Sequence, residues 1–259
     1  MKRILVLGAG GQIGSELVPY LRKIYGASNV LATDVKPCEA LSAEGPFETL
    51  DALDGARYAE LVDKYRIDAI YNLVALLSAT GEKNPQLAMR INMGALQNSL
   101  EIAREKKCSL FTPSSIGAFG GDFPRDNTPQ DTIMQPNTIY GVCKVSGELL
   151  SNYYHSRFGV DTRSVRFPGI ISNVTLPGGG TTDYAVEIYY GPFYLPHIAR
   201  RIYGYDVYAR CAACRGRADG GRPVATQTPQ LVQYRLYELH TRDHLRGRAP
   251  SDTLVHYGL

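Results

Sequence analysis

Short apolar runs alternate with amphipathic stretches over the first two-thirds of the chain. Residues 3–7 (RILVL) form an apolar run of strand length, which predicts a strand buried on both faces. A helical pattern carrying Leu17 and Leu21 comes next. Residues 29–33 predict a second strand that ends at Asp34, and residues 47–50 a third before Asp51. A helix over 55–65 leads into a strand at 68–74 (DAIYNLV), and a long helix over 85–106 precedes a strand at 108–112. Residues 138–158 predict a further helix and 160–166 (VDTRSVR) a last strand. Strands alternating with helices imply an α/β fold, a doubly wound parallel sheet covered on both faces. No internal repeat or low-complexity segment competes with it.

Composition changes this picture little. An apolar share of 44% supplies a core, and five cysteines spread thinly fit a reducing compartment better than a disulfide framework. No apolar run reaches the ~18 residues of a membrane span, so no membrane partner is expected. The first strand begins directly after Lys2 and Arg3, leaving no room for a leader. A cytoplasmic location is expected, or a mitochondrial one if an N-terminal extension is missing.

Between the first strand and the first helix lies Gly8-Ala9-Gly10-Gly11-Gln12-Ile13-Gly14. Gly8 permits a tight turn, Gly11 a close approach of backbone to a pyrophosphate, and Gly14 close packing of helix on strand. Phosphates would sit on amides around Gln12 and Ile13, where the helix start is partially positive. Asp34, twenty residues past Gly14, would accept hydrogen bonds from ribose hydroxyls and repel a 2′-phosphate, favouring NAD over NADP. Asp51 is a candidate adenine contact or else a surface-loop acid. Leu73 and Ala75, at the end of the fourth strand, are further candidate cofactor contacts.

Tyr140 and Lys144 stand four residues apart on a predicted helix and so share a face. A phenol acting as base near neutral pH must be lowered by roughly 3 pH units, about 4 kcal/mol, from its ordinary value. A fixed ammonium one turn away, together with a cationic nicotinamide ring, is expected to supply a lowering of that order. Ser114 and Ser115 follow a strand some 25 residues upstream, where the carboxyl ends of such a sheet gather ligand groups.

Taken together, these motifs resemble the extended short-chain dehydrogenase/reductase superfamily, of Rossmann fold. More narrowly, LLSATGEKNP, PSSIGAFG, RDNTPQDTIMQPNTIYGVCK and TRSVRFPGIISNVTLPGGGTTDYAVEIYY are similar to short-chain-type L-threonine 3-dehydrogenases. The resemblance covers residues 1–190. It implies oxidation of the 3-hydroxyl of L-threonine by NAD to give 2-amino-3-oxobutanoate. It assigns Tyr140 as the base, Ser115 as the group that orients the hydroxyl, and Lys144 as the residue that tunes Tyr140 and binds ribose. It further implies that Asn92 anchors the active-site network and that Pro168 and Ile170 touch the nicotinamide. Ser78, Thr181 and Thr182 would face the amino acid, although these threonines could equally end a loop. It also implies a homodimer if the fold is intact. Two alternatives stay open: a nucleotide-sugar epimerase or dehydratase of the same superfamily, and a non-catalytic NAD-binding remnant.

After Tyr190 the resemblance stops. Residues 1–190 carry 18 Lys and Arg against 20 Asp and Glu, whereas residues 191–259 carry 10 Arg, no Lys and 5 acids. Members of the family continue with a Met-rich stretch around MMYMPDA. Permitted codons for Ile202–Cys211, read one nucleotide later, spell FMDMMYMPDA. Residues 191–259 are therefore expected to be a frameshifted or mis-spliced tail, largely disordered, standing where a substrate lobe belongs. Weak NAD binding and low or absent turnover would follow. Cys211, Cys214, His240 and His244 mimic a zinc site, but the 25 residues between the pairs exceed a compact finger's spacing, so no metal is expected. The Arg-rich tail is likewise not expected to bind nucleic acid.

Overall fold

Parallel pairing of the apolar runs builds the sheet. The computed structural model describes residues 2–120, 126–172, 174, 175, 178 and 180, and they fall in one unit of the chain. The strands are β1 (Ile4–Leu7), β2 (Val30–Asp34), β3 (Phe47–Thr49), β4 (Ala69–Asn72), β5 (Ser109–Phe111) and, much later, β7 (Thr162–Arg163). They form one sheet in the order β3-β2-β1-β4-β5-β7, every pair parallel. Every residue of β1 is buried, as its unbroken apolar run requires. Successive side chains point to opposite faces. Ile4 and Val6 therefore pack with Leu17, Val18 and Leu21 of helix α1 (Gly14–Tyr25). Leu5 and Leu7 pack on the other side with Tyr58 and Leu61 of α3 (Gly55–Tyr65), after the short α2 (Glu39–Glu44).

That second face also takes Leu96 and Leu100 of α5 (Pro85–Lys106) and Tyr154 of α6 (Ile139–Phe158). A one-turn helix, α4 (Ser78–Gly81), precedes α5. Helix starts are capped by side chains: Asp54 accepts from Arg57 N, Asn84 from Leu87 N and Thr138 from Gly141 N. Left-handed residues close the ends, Arg66 after α3, Lys107 after α5 and Gly159 after α6.

The expected strand over 160–166 is corrected. It divides into β7, in the main sheet, and β8 (Arg166–Phe167), which pairs in parallel with β6 (Ser114–Ser115). It divides where its parallel partner does, between β5 and β6, while the donors facing it keep their alternation, starting with Leu110 N to Asp161 O at 2.8 Å. Thr112 N still bonds Arg163 O at 3.0 Å, and Ser114 N picks up Val165 O at 2.8 Å beyond the break.

Candidate active site

Many of the candidate residues follow the carboxyl ends of parallel strands. The glycine loop leaves β1, Asp34 ends β2, Leu73 to Ala75 leave β4, and Thr112 to Ser115 leave β5. Chain order reverses between β1 and β4, and that is where α/β sheets open a ligand crevice.

The glycine loop is tight for identifiable reasons. Gly8 adopts φ +70°, and its Cα faces the Leu73–Val74 backbone so closely that a Cβ would lie 3.2 Å from it. Gly14 is more constrained still: a Cβ would come within 2.5 Å of Ala9 O, so helix α1 could not start where it does. Gly11 N donates to Gly8 O at 3.1 Å. Asp34 acts here before any ligand does, because its Oδ2 accepts from Gly10 N at 2.9 Å. The pattern of three glycines overlooked Gly10, whose signal was a fourth glycine opposite the acid. The side chain of Gln12 donates to Ile170 O at 3.1 Å, and Ser172 donates to Glu16 at 2.5 Å. These two bonds fasten the Pro168–Ser172 segment to the start of α1. Asp51 is exposed and accepts from Leu53 N at 2.9 Å, a turn contact, in line with the surface-loop alternative.

The candidate reacting groups meet between β6 and α6. Ser115 Oγ accepts from Gly117 N at 3.1 Å, and a Cβ on Gly117 would lie 3.5 Å from both that hydroxyl and the Tyr140 ring, so the two side chains flank the same glycine. Lys144 Nζ donates to Pro113 O at 2.6 Å and lies 5.2 Å from the Tyr140 ring centre. Asn92, from α5, accepts from Leu76 N at 2.7 Å and donates to Leu76 O at 3.1 Å, clamping the segment that carries Leu73, Ala75 and Ser78. Ser78 opens α4. Gly141 lets α6 approach, since a Cβ there would lie 2.4 Å from Gly117 O. A cavity of about 30 Å³, enough for a water molecule, is lined by Asn92, Thr112, Ser114, Lys144, Glu148 and Ser164, among others.

The protein's own groups do not by themselves lower Tyr140. Burial holds the phenol above its ordinary value, and the Ser115 hydroxyl opposes that by favouring the phenolate. Burial also pushes the Lys144 ammonium down to about 8, against the upward pull of Cys143 and Glu148. Sharing a face is not enough: the ammonium spends its bond on a carbonyl. Thr181 and Thr182 lie outside the described residues, as do Cys211, Cys214, His240 and His244.

A model of the NAD dependent epimerase/dehydratase family matches residues 4–183. The chain belongs to that family. It is 62% identical over 192 residues to an uncharacterized epimerase/dehydratase of Staphylococcus aureus, a match covering 73% of this chain and 60% of the relative. Among solved structures it resembles an L-threonine dehydrogenase of Clostridium difficile (58% identity, TM-score 0.71, 73% of this chain and 60% of the other). It also resembles the holo form of a GalE-like L-threonine dehydrogenase of Cupriavidus necator (49%, 0.70, 73% and 61%). The chain thus spans about 60% of the length of the curated relatives it matches.

The cofactor of the epimerase/dehydratase family is NAD, and the residues of this chain fit it. Only glycine suits positions 8 and 14 of the cradle, and Asp34 stands at the strand end where ribose hydroxyls are recognised. Among the described residues no helix is long and apolar enough to cross a membrane. One constellation of this family member went unread in the sequence. Glu148, one turn beyond Lys144, receives a short hydrogen bond from Ser114 and two bonds from Arg166. Its signal was present, since Tyr140, Lys144 and Glu148 recur at four-residue spacing on one helix face.

Proposed function

We propose that residues 1–190 carry the cofactor site and the reacting groups of an NAD-dependent L-threonine 3-dehydrogenase. The observation that carries the reading is the convergence of Ser115 and Tyr140 on Gly117, with Lys144 Nζ 5.2 Å from the centre of the phenol ring. Likeness to L-threonine dehydrogenases at 58% and 49% identity supports the choice of substrate. NAD, when bound, supplies a hydride acceptor. Ser115 holds the 3-hydroxyl of L-threonine, and the Tyr140 phenolate takes its proton as the hydrogen on the same carbon leaves with two electrons. A carbonyl forms in place of the alcohol, giving 2-amino-3-oxobutanoate. Lys144, together with the cationic nicotinamide ring, would favour the phenolate and would bind the ribose, and Gly8, Gly11, Gly14 and Asp34 would hold the dinucleotide. Ser78, Thr181 and Thr182 would contact the amino acid, Asp51 the adenine, and Leu73, Ala75, Pro168 and Ile170 the nicotinamide half. Residues 191–259 belong to this proposal as an out-of-frame tail in place of a substrate lobe.

The test is NADH absorbance with NAD and L-threonine, run beside UDP-glucose. NADH formation with L-threonine is expected. Turnover of the UDP-sugar instead would move the chain to the epimerases or dehydratases. Calorimetric NAD binding with neither reaction would make it a binding remnant.

A further inference from the structure

Besides the residues already assigned to the site, the described part of the chain holds one buried ion pair. Arg166 Nη2 lies 2.7 Å from Glu148 Oε2, with the side chains 4% and 3% exposed. Arg166 Nε adds a second bond to Glu148 Oε1 at 2.9 Å, so the contact is bidentate. The same Oε1 accepts the Ser114 hydroxyl. Arg166 Nη1 donates to Gln130 O at 3.1 Å, and its guanidinium lies 5.1 Å from the Phe119 ring.

The location of this pair matters more than its strength. Ser114 and Arg166 face each other in the two-residue ladder of β6 and β8, and Glu148 bonds both across it. A ladder of two residues fixes register weakly by itself. Seating Ser114 on Glu148 fixes the register of the strand and with it the place of the adjoining Ser115. Glu148 rides on the helix that carries Tyr140 and Lys144. One carboxylate therefore binds the strand of the orienting hydroxyl to the helix of the phenol, and Arg166 binds both to the segment leading to Pro168.

We propose that Glu148, clamped by Arg166, is a positioning residue that sets Ser115 against Tyr140 and fixes the ammonium of Lys144 beside them. The titratable groups facing Lys144 are Cys143 and Glu148 of its own helix, with Tyr140 at 5.2 Å. The neighbours from other elements, Ser114 of β6 and Asn92 of α5, are uncharged, and Arg166 of β8 connects to Lys144 only through Glu148. A merely structural ion pair would leave kcat unmoved when replaced by apolar groups in a variant that still folds.

The proposal deepens the dehydrogenase reading, and only its kinetic arm rests on that reading. The experiment uses the full chain with ¹³Cε-labelled lysine, assigned through Lys144→Met, and follows the Lys144 titration by NMR. Glu148→Gln keeps an acceptor for Ser114 but removes the charge. The double variant Glu148→Met with Arg166→Met replaces the pair by apolar groups of similar volume, an exchange often neutral for folding. Both are expected to lower the Lys144 midpoint by about half a pH unit or more. With L-threonine and NAD, the double variant is expected to lose about tenfold in kcat, while KM for NAD stays within about twofold. An unmoved midpoint in the folded variants overturns the proposal, and so does unchanged kcat in an active parent. A parent that makes no NADH from L-threonine but shows the shifted midpoint defeats the substrate assignment and leaves the positioning role standing.

Discussion

Lys144 donates to a backbone carbonyl and lies against the Tyr140 ring, so its position is fixed while its charge is not. Burial lowers it from 10.5 to about 8. Below the lower value the ammonium is charged in folded and unfolded chains alike, and the full burial penalty opposes folding. Between the two values the unfolded chain holds a proton that the folded chain has released, so stability rises with pH. The melting temperature of Lys144→Met relative to the parent should therefore fall as pH rises through that window; a flat difference would refute the assignment. Tyr140 invites a second experiment. Tyr140→Phe should cut NADH formation from L-threonine by about 10²- to 10⁴-fold and leave NAD affinity, read by calorimetry, unchanged. Because the Ser115 hydroxyl favours the phenolate, Ser115→Ala should move the alkaline rise of kcat/KM to higher pH. At this scale the sequence was legible where spacing encodes a shared surface, as for Tyr140 and Lys144 on α6. It was opaque where partners come from distant elements. Nothing in the run of residues announces that Gly10 bonds Asp34 or that Ser114 bonds Glu148.

Helices α3 and α5 fall on the predicted residues because their ends are written locally, by Asp54 before the first and by Asn84 and Pro85 at the second. The strand expected over 160–166 divides in two where its partner does, between β5 and β6, a feature set by a segment some fifty residues away. Contacts between elements also decide how glycines behave. Replacing a mid-helix glycine by alanine ordinarily stabilises by about 0.5–1 kcal/mol. At Gly141 the new Cβ would meet Gly117 O at 2.4 Å and Pro136 Cβ at 2.5 Å, so α6 must retreat from the Ser115 turn. Gly141→Ala should therefore destabilise by about 1–3 kcal/mol in urea melts. Gly55→Ala, whose nearest neighbour would lie at 3.6 Å, serves as the control and should not destabilise. Equal midpoints for the two variants would refute the close approach of α6.

The similarity to curated relatives covers 192 residues of this chain and 60% of theirs. The proposal that residues 191–259 are out of frame predicts a single-nucleotide change between codons 188 and 193 of the transcript. It also predicts that a chain with the frame restored forms NADH from L-threonine about tenfold faster or more than this one, as the substrate gains a wall against water. An uninterrupted frame would refute both. One bond has a reach beyond this molecule. The carboxylate that would discriminate between dinucleotides is the same one that ties down the Gly10 amide. A lineage trading that acid for a basic residue, to welcome a phosphorylated coenzyme, would loosen the turn at the moment it changed allegiance. It would then need a replacement acceptor nearby before the new preference could be kept.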